Sequence, residues 1–205
     1  MRKKQSHMLK IINDLFNMPR SITGEPIRKT LKYIKKETKK LEIIKFKSGS
    51  KVFDWTVPDE WNIRDAYIKD DKGKKILNFK KNFLSVVYHS LPIRKWISKK
   101  DLLKKIHYDE TLPSAVPYVT TYYKKYWGFC MSKNQIKKLN SKKYFVKIDS
   151  KFTKGFLEVG EYLKKGLQNK EVFFSTYICH PSMANDNIAS TALQIEIIKY
   201  LKKNY

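Results

Sequence analysis

The sequence predicts an α/β chain in which a sheet with flanking helices is interrupted by a small β-rich module. Three observations carry that expectation. Apolar residues recur at spacings of three and four near both ends of the chain, the period of helices that bury one face. Residues 171–178, Glu-Val-Phe-Phe-Ser-Thr-Tyr-Ile, form a nearly continuous apolar run, which suits a central strand covered on both sides. Residues 51–130 differ in texture from both flanks. They hold all four tryptophans (Trp55, Trp61, Trp96 and Trp127) and four of the seven prolines, with short apolar runs and few helical repeats. The expected layout is a discontinuous main domain, 1–50 and 131–205, around a β-rich domain at 51–130.

Met8, Ile11, Ile12, Leu15 and Phe16 mark an amphipathic helix over 7–18, which Pro19 ends. A second helix starts near Pro26, a residue suited to the first helical turn, and buries Ile27, Leu31 and Ile34. Residues 41–46 alternate in part and run into Ser48-Gly49-Ser50, so they form a strand leaving into a loop. In the middle region, 76–79 and 83–88 are expected strands, the first preceded by the turn Asp70-Asp71-Lys72-Gly73. Residues 98–106 form a short helix capped by Ser98, with Asp101 three residues on. Strands are expected again at 144–148 and 155–159, and a buried helix from Ile188 to Leu201, entered through Asn185-Asp186-Asn187.

The 205 residues carry 44 basic and 19 acidic side chains, a net charge of +25, which first suggests a polyanionic partner. Only five of the basic residues are arginine, the side chain that nucleic-acid readers use most, and the lysines are spread evenly along the chain. The charge is therefore a solvated lysine surface, and nucleic acid is not an expected partner. No run approaches the roughly 18–20 apolar residues of a membrane-spanning helix, so no membrane partner is expected either. The basic N-terminus is followed by apolar residues interrupted at Lys10, Asn13 and Asp14, and the two cysteines, Cys130 and Cys179, form no framework. The expected location is the cytoplasm, with no cleaved leader.

Chemistry concentrates in Tyr177-Ile178-Cys179-His180-Pro181-Ser182-Met183-Ala184-Asn185-Asp186-Asn187, where an apolar run gives way to a tight loop and then to a helix. An imidazole suits zinc as a terminal ligand, and a carboxylate has two oxygens with which to bridge a pair of ions. His180 and Asp186 can thus be half of a two-metal centre, while Asn185 or Asp186 can equally be the cap of the following helix. Two other features stay open in the same way. The tryptophans suit either a carbohydrate-binding face or a core, and Arg20-Ser21-Ile22-Thr23-Gly24 suits either an anion at a helix N-terminus or a turn with a cap.

Five dispersed segments carry a family resemblance: 19–24 (Pro-Arg-Ser-Ile-Thr-Gly), 52–61 (Val-Phe-Asp-Trp-Thr-Val-Pro-Asp-Glu-Trp), 116–120 (Val-Pro-Tyr-Val-Thr), 127–130 (Trp-Gly-Phe-Cys), and Cys179-His180-Pro181-Ser182 with Asn185-Asp186-Asn187. In this order they resemble the N-terminal half of bacterial proteins with an aminopeptidase-like domain, relatives of the di-zinc exopeptidases that carry an inserted domain of unknown function. The resemblance implies a partial zinc-exopeptidase-like sheet, a two-zinc cofactor with His180 on one ion and Asp186 bridging both, and a setting in surface-polysaccharide metabolism. It also implies an adjacent pair of glutamates, a further acidic ligand and a late histidine downstream. Here no Glu-Glu pair exists, and Glu196 is the one acidic residue after Asp186. Ser182 stands where the family pattern has an aspartate that orients the ligand imidazole. The expectation is a truncated or split zinc aminopeptidase-like protein, with no catalytic residue assigned and no activity of its own. Its expected partners are a downstream chain that completes the domain and a peptide or glycan ligand; the alternative is a non-catalytic module that binds carbohydrate or a partner protein.

Overall fold

A computed structural model describes residues 6–205. In chain order the elements are α1 (His7–Phe16), α2 (Glu25–Thr38), β1 (Glu42–Lys47), β2 (Lys51–Val52), β3 (Trp55–Thr56), β4 (Glu60–Lys69), β5 (Lys75–Asn78), β6 (Ile93–Ser98), α3 (Lys99–Leu103), β7 (Ile106–His107), β8 (Phe129–Cys130), α4 (Lys133–Ile136), β9 (Lys143–Thr153), β10 (Phe156–Glu161) and α5 (Ala189–Asn204). This is a mixed α/β fold with several small sheets and no barrel. It divides into two units, one made of 1–60 and 154–205, the other of 61–153.

In the first unit the helical period does the packing. Ile11 and Leu15 of α1, Ile27, Leu31 and Ile34 of α2, and Ala192 and Ile195 of α5 bury one shared face, with Leu41 and Ile188 closing it. The strands β1 and β10 pair antiparallel, from Glu42 opposite Glu161 to Lys47 opposite Phe156. Gly160 lies so close to Leu31 and Leu41 that a Cβ would stand 2.9 Å from each, which lets this strand approach α2. Glu60 anchors the start of β10. Its buried carboxylate takes two hydrogen bonds from the Arg28 guanidinium, at 2.7 and 2.9 Å, and one from the Phe156 amide at 3.0 Å.

In the second unit four strands run in the order β5-β4-β9-β6. The strand β9 alternates as a half-covered strand should, burying Tyr144, Val146, Ile148 and Ser150. Ala66 and Ile68 of β4, Leu77, Phe79, Val86, Leu102 and Phe129 complete that core. The unit reaches further along the chain than 51–130 because β9 pairs with β6 through six residues, from Ile93 opposite Ile148 to Ser98 opposite Lys143. Ser98 caps α3 by accepting from the Asp101 amide at 3.1 Å, as its position in the sequence predicts.

Two expected strands take other forms. Residues 83–88 begin as a 3-10 turn, because the Asn82 side chain accepts from the Leu84 amide at 2.9 Å and bends the backbone. Residues 171–178 are not a central strand. They have no ladder partner among the described residues, and Val172 and Phe173 are 81% and 87% exposed. The strands β4 and β6 are absent from the sequence reading, since their apolar residues are broken by charged ones.

His89 is 4% exposed and adopts a left-handed φ of 65°. Its ring stacks on Trp61 and meets Tyr122 and Phe152 edge-on.

Two stability measurements follow from these contacts. Replacing Glu60 by Ala leaves Nη1 and Nη2 of Arg28 and the Phe156 amide without this acceptor, while Arg28 Nε keeps Glu25, and urea unfolding should show a loss of about 2–4 kcal/mol. Burial pushes the His89 imidazole down to about 4 from 6.5. Between those values the unfolded chain binds the extra proton and the folded chain does not, so stability falls as the pH drops from 6.5 towards 4. The change is up to about 3 kcal/mol. His89→Asn, which tolerates the left-handed backbone, should flatten that slope in urea titrations at pH 7 and 4.5.

Candidate metal site at the His180 turn

The predicted pair is in contact. His180 Nδ1 lies 3.3 Å from Asp186 Oδ2, and the Tyr177 hydroxyl donates to the other carboxylate oxygen, Oδ1, at 2.5 Å. The Tyr177 ring meets the imidazole edge-on, with centroids 5.2 Å apart. Asp186 does not cap the helix. Residues 184–188 form an irregular turn, α5 follows without a side-chain cap, and the Asp186–Asn187 peptide is cis. The Asn187 side chain instead holds the approach to the turn, donating to the Tyr177 carbonyl and, at 2.8 Å, to the Thr176 hydroxyl.

The electrostatics favour an ionised carboxylate. The Tyr177 hydrogen bond, followed by the neighbouring His180, lowers the Asp186 pKa. The same hydrogen bond raises the Tyr177 phenol. Cys179 is shifted upward by burial, so the thiol beside His180 stays protonated and is not a ready nucleophile.

An imidazole and an ionised carboxylate facing one another can share a proton or a metal ion. Their chemistry fits zinc, yet among the described residues no group of three or more His, Cys, Asp or Glu side chains gathers to hold a metal. Among the described residues, then, two donors come together and no third. His7 is engaged with Glu37 and Glu196, which accounts for the acidic residue of α5 as a structural contact.

The remaining sequence candidates separate. Trp61 is core, its indole donating to the Ser90 carbonyl at 3.0 Å. Trp96 is half exposed, with the Lys143 ammonium 5.3 Å from its ring centre. The Arg20 guanidinium points inward, donating to the carbonyls of Leu15 and His180. Sequence reasoning missed this contact, because nothing in the spacing of residues 20 and 180 announces it.

Comparison with known proteins adds three findings. Residues 60–151 match the family described as "Domain of unknown function (DUF2172)", nearly the span of the second unit. Residues 60–151 are thus similar to DUF2172 domains. It is 45% identical over 193 residues to a Clostridium acetobutylicum protein named "Putative polysaccharide biosynthesis protein with aminopeptidase-like domain", a match covering 94% of this chain and 44% of that protein. A crystal structure of a "putative peptidase" from Clostridium acetobutylicum, at 2.37 Å resolution, superposes with a TM-score of 0.92 and 44% identity, covering 96% of this chain and 46% of that one. The chain thus spans under half the length of these relatives. Among its described residues no helix is long and apolar enough to cross a membrane.

The segment leading into the site is open to attack. Val172, Phe173, Phe174 and Tyr177 are more than half exposed and lie in no strand or helix. Limited chymotrypsin digestion of the folded chain should cut first after Phe173, Phe174 or Tyr177, as read by mass spectrometry, well before any cut after the buried Phe79 or Phe129.

Proposed function

We propose that this chain supplies the His180–Asp186 portion of a zinc aminopeptidase-like hydrolase, and that these two donors alone do not make it catalytically competent. The observation that carries the reading is the 3.3 Å contact between the His180 imidazole and the Asp186 carboxylate, at the end of a segment with no ladder partner among the described residues. In this reading residues 1–60 and 154–205 supply part of a zinc-exopeptidase-like sheet with flanking helices, and the DUF2172-like unit is a domain carried within it. Residues 171–178 become a strand once further polypeptide pairs with them, and that polypeptide brings the remaining metal ligands and the general base. The names and close similarity of the Clostridium acetobutylicum relatives support an aminopeptidase-like activity of the completed domain, in a polysaccharide-related setting. The substrate class is then a peptide with a free N-terminus.

His180 would bind one ion as a terminal ligand, and Asp186 would offer an oxygen to each of two. Bound zinc supplies a water of lowered pKa and polarises the scissile carbonyl. This chain's own part is to hold the two donors face to face and, through the Tyr177 hydroxyl, to stabilise the Asp186 anion.

The direct measurement is calorimetric titration of zinc into the chain at neutral pH. Weak binding is expected, because two protein donors fall short of the usual set, and both His180→Ala and Asp186→Ala should abolish it. Tight binding that survives both substitutions would overturn the reading.

A further inference from the structure

We infer that Arg20 is a positioning residue for the His180 turn, fixing by its buried guanidinium the backbone conformation that sends the imidazole towards Asp186. The metal consequence rests on the function proposed above; the geometric consequence stands without it. Arg20 is 1% exposed, so its charge is out of water and must be met by hydrogen-bond acceptors. Two of these are main-chain carbonyls. One nitrogen, Nη1, donates to Leu15 O in the last turn of α1, and the other, Nη2, donates to His180 O at 3.1 Å. The end of α1 also takes a donor from the turn itself, since the Ser182 amide donates to Phe16 O at 3.2 Å. Carbonyls in the last turn of a helix lack partners within the helix, and here donors from Arg20 and the turn meet two of them.

The conformation so held is one that side-chain-bearing residues seldom adopt. His180 has φ of 66° and Ser182 φ of 52°, both left-handed, on either side of the buried Pro181. Such backbone persists only where its surroundings hold it, and it occurs characteristically at functional sites. Arg20 is the side chain that reaches the carbonyl of the candidate ligand. With that carbonyl released, the turn can relax to an extended φ and the imidazole leaves the carboxylate. A lysine has one charged nitrogen in place of a planar fork, so it cannot reproduce both bonds together.

The test compares wild type, Arg20→Ala, Arg20→Lys and His180→Ala. Hydrogen exchange of the Ser182 amide reports the turn, and zinc titration reports the donor pair. Arg20→Ala should speed Ser182 exchange and weaken zinc binding by about tenfold each, with Arg20→Lys intermediate. Millimolar methylguanidinium should restore both properties in Arg20→Ala. That recovery would not follow from a general loss of packing. His180→Ala should remove zinc binding while leaving Ser182 exchange slow. If wild type binds no zinc but Ser182 exchange still follows Arg20, the metal reading fails and the positioning role holds. Unchanged Ser182 exchange in Arg20→Ala or Arg20→Lys overturns the inference. Should Arg20→Ala fail to fold, nuclear Overhauser contacts between slowly exchanging Arg20 guanidinium protons and His180 Hα in wild type decide the matter, and their absence overturns it.

Discussion

The first unit is assembled from two stretches of chain separated by residues 61–153, so its architecture depends on what fastens one stretch to the other. Apolar packing supplies the bulk of that fastening: α1 and α2 come from the first stretch, and α5 from the second. Hydrophobic contact is non-directional, however, and fixes distance better than orientation. Direction comes from a few polar anchors. The Glu60 carboxylate receives Arg28 and the Phe156 amide, which sets where β10 begins, and the Arg20 guanidinium joins Leu15 to His180, which sets how the turn before α5 is aimed. Both anchors use a charged group out of water. Each therefore penalises any arrangement in which the charge loses its partners, and this is how a polar contact selects one orientation among many well-packed ones.

Residues 171–178 show the converse, a sequence whose local preference is unmet. Valine, phenylalanine, threonine, tyrosine and isoleucine favour extended backbone, but a strand is stabilised by its neighbours, through ladder hydrogen bonds and cross-strand side chains. With no ladder partner among the described residues, the segment remains outside any sheet and its aromatic rings face solvent. An apolar segment of high strand propensity that lies outside any sheet can be recruited by strand addition. Its position next to the His180 turn means that anything pairing with it also approaches the candidate metal donors.

What could be read from residues alone follows the same division between local and non-local causes. The helix spacing of Ile11 and Leu15, and of Ile27, Leu31 and Ile34, gives α1 and α2 within a few residues, and Ser98 announces the cap of α3. Gly73, at φ of 81°, sits in the turn that the Asp-Asp-Lys-Gly run predicts. The strands β4 and β6 escape notice because Asn62, Arg64, Asp65, Arg94 and Lys95 interrupt their patterns; they are strands because β9 lies between them in the sheet. Residues 171–178 mislead for the opposite reason, since composition predicts a strand but cannot supply the neighbour. At the site, His180 and Asp186 stand out by residue type and by their place in a loop before a helix. Tyr177 and Arg20 do not, because their roles come from tertiary proximity.

Tyr177 shows why the candidate donors can rest together before any ion arrives. An aspartate carboxylate is already ionised at neutral pH, and a proton shared between a carboxylate and an imidazole rests on the more basic ring nitrogen. The Tyr177 hydroxyl stabilises the anion from the other side, and the Asp186 pKa is lowered with that hydrogen bond as its first cause. Oδ1 is thus held by a neutral donor on an exposed side chain, and Oδ2 by the imidazole. Neither contact requires the metal-binding form of Asp186 to change protonation. Deprotonated ligands are what metal binding demands, and an aspartate already meets that demand at neutral pH, which leaves the number of donors as the quantity that limits affinity.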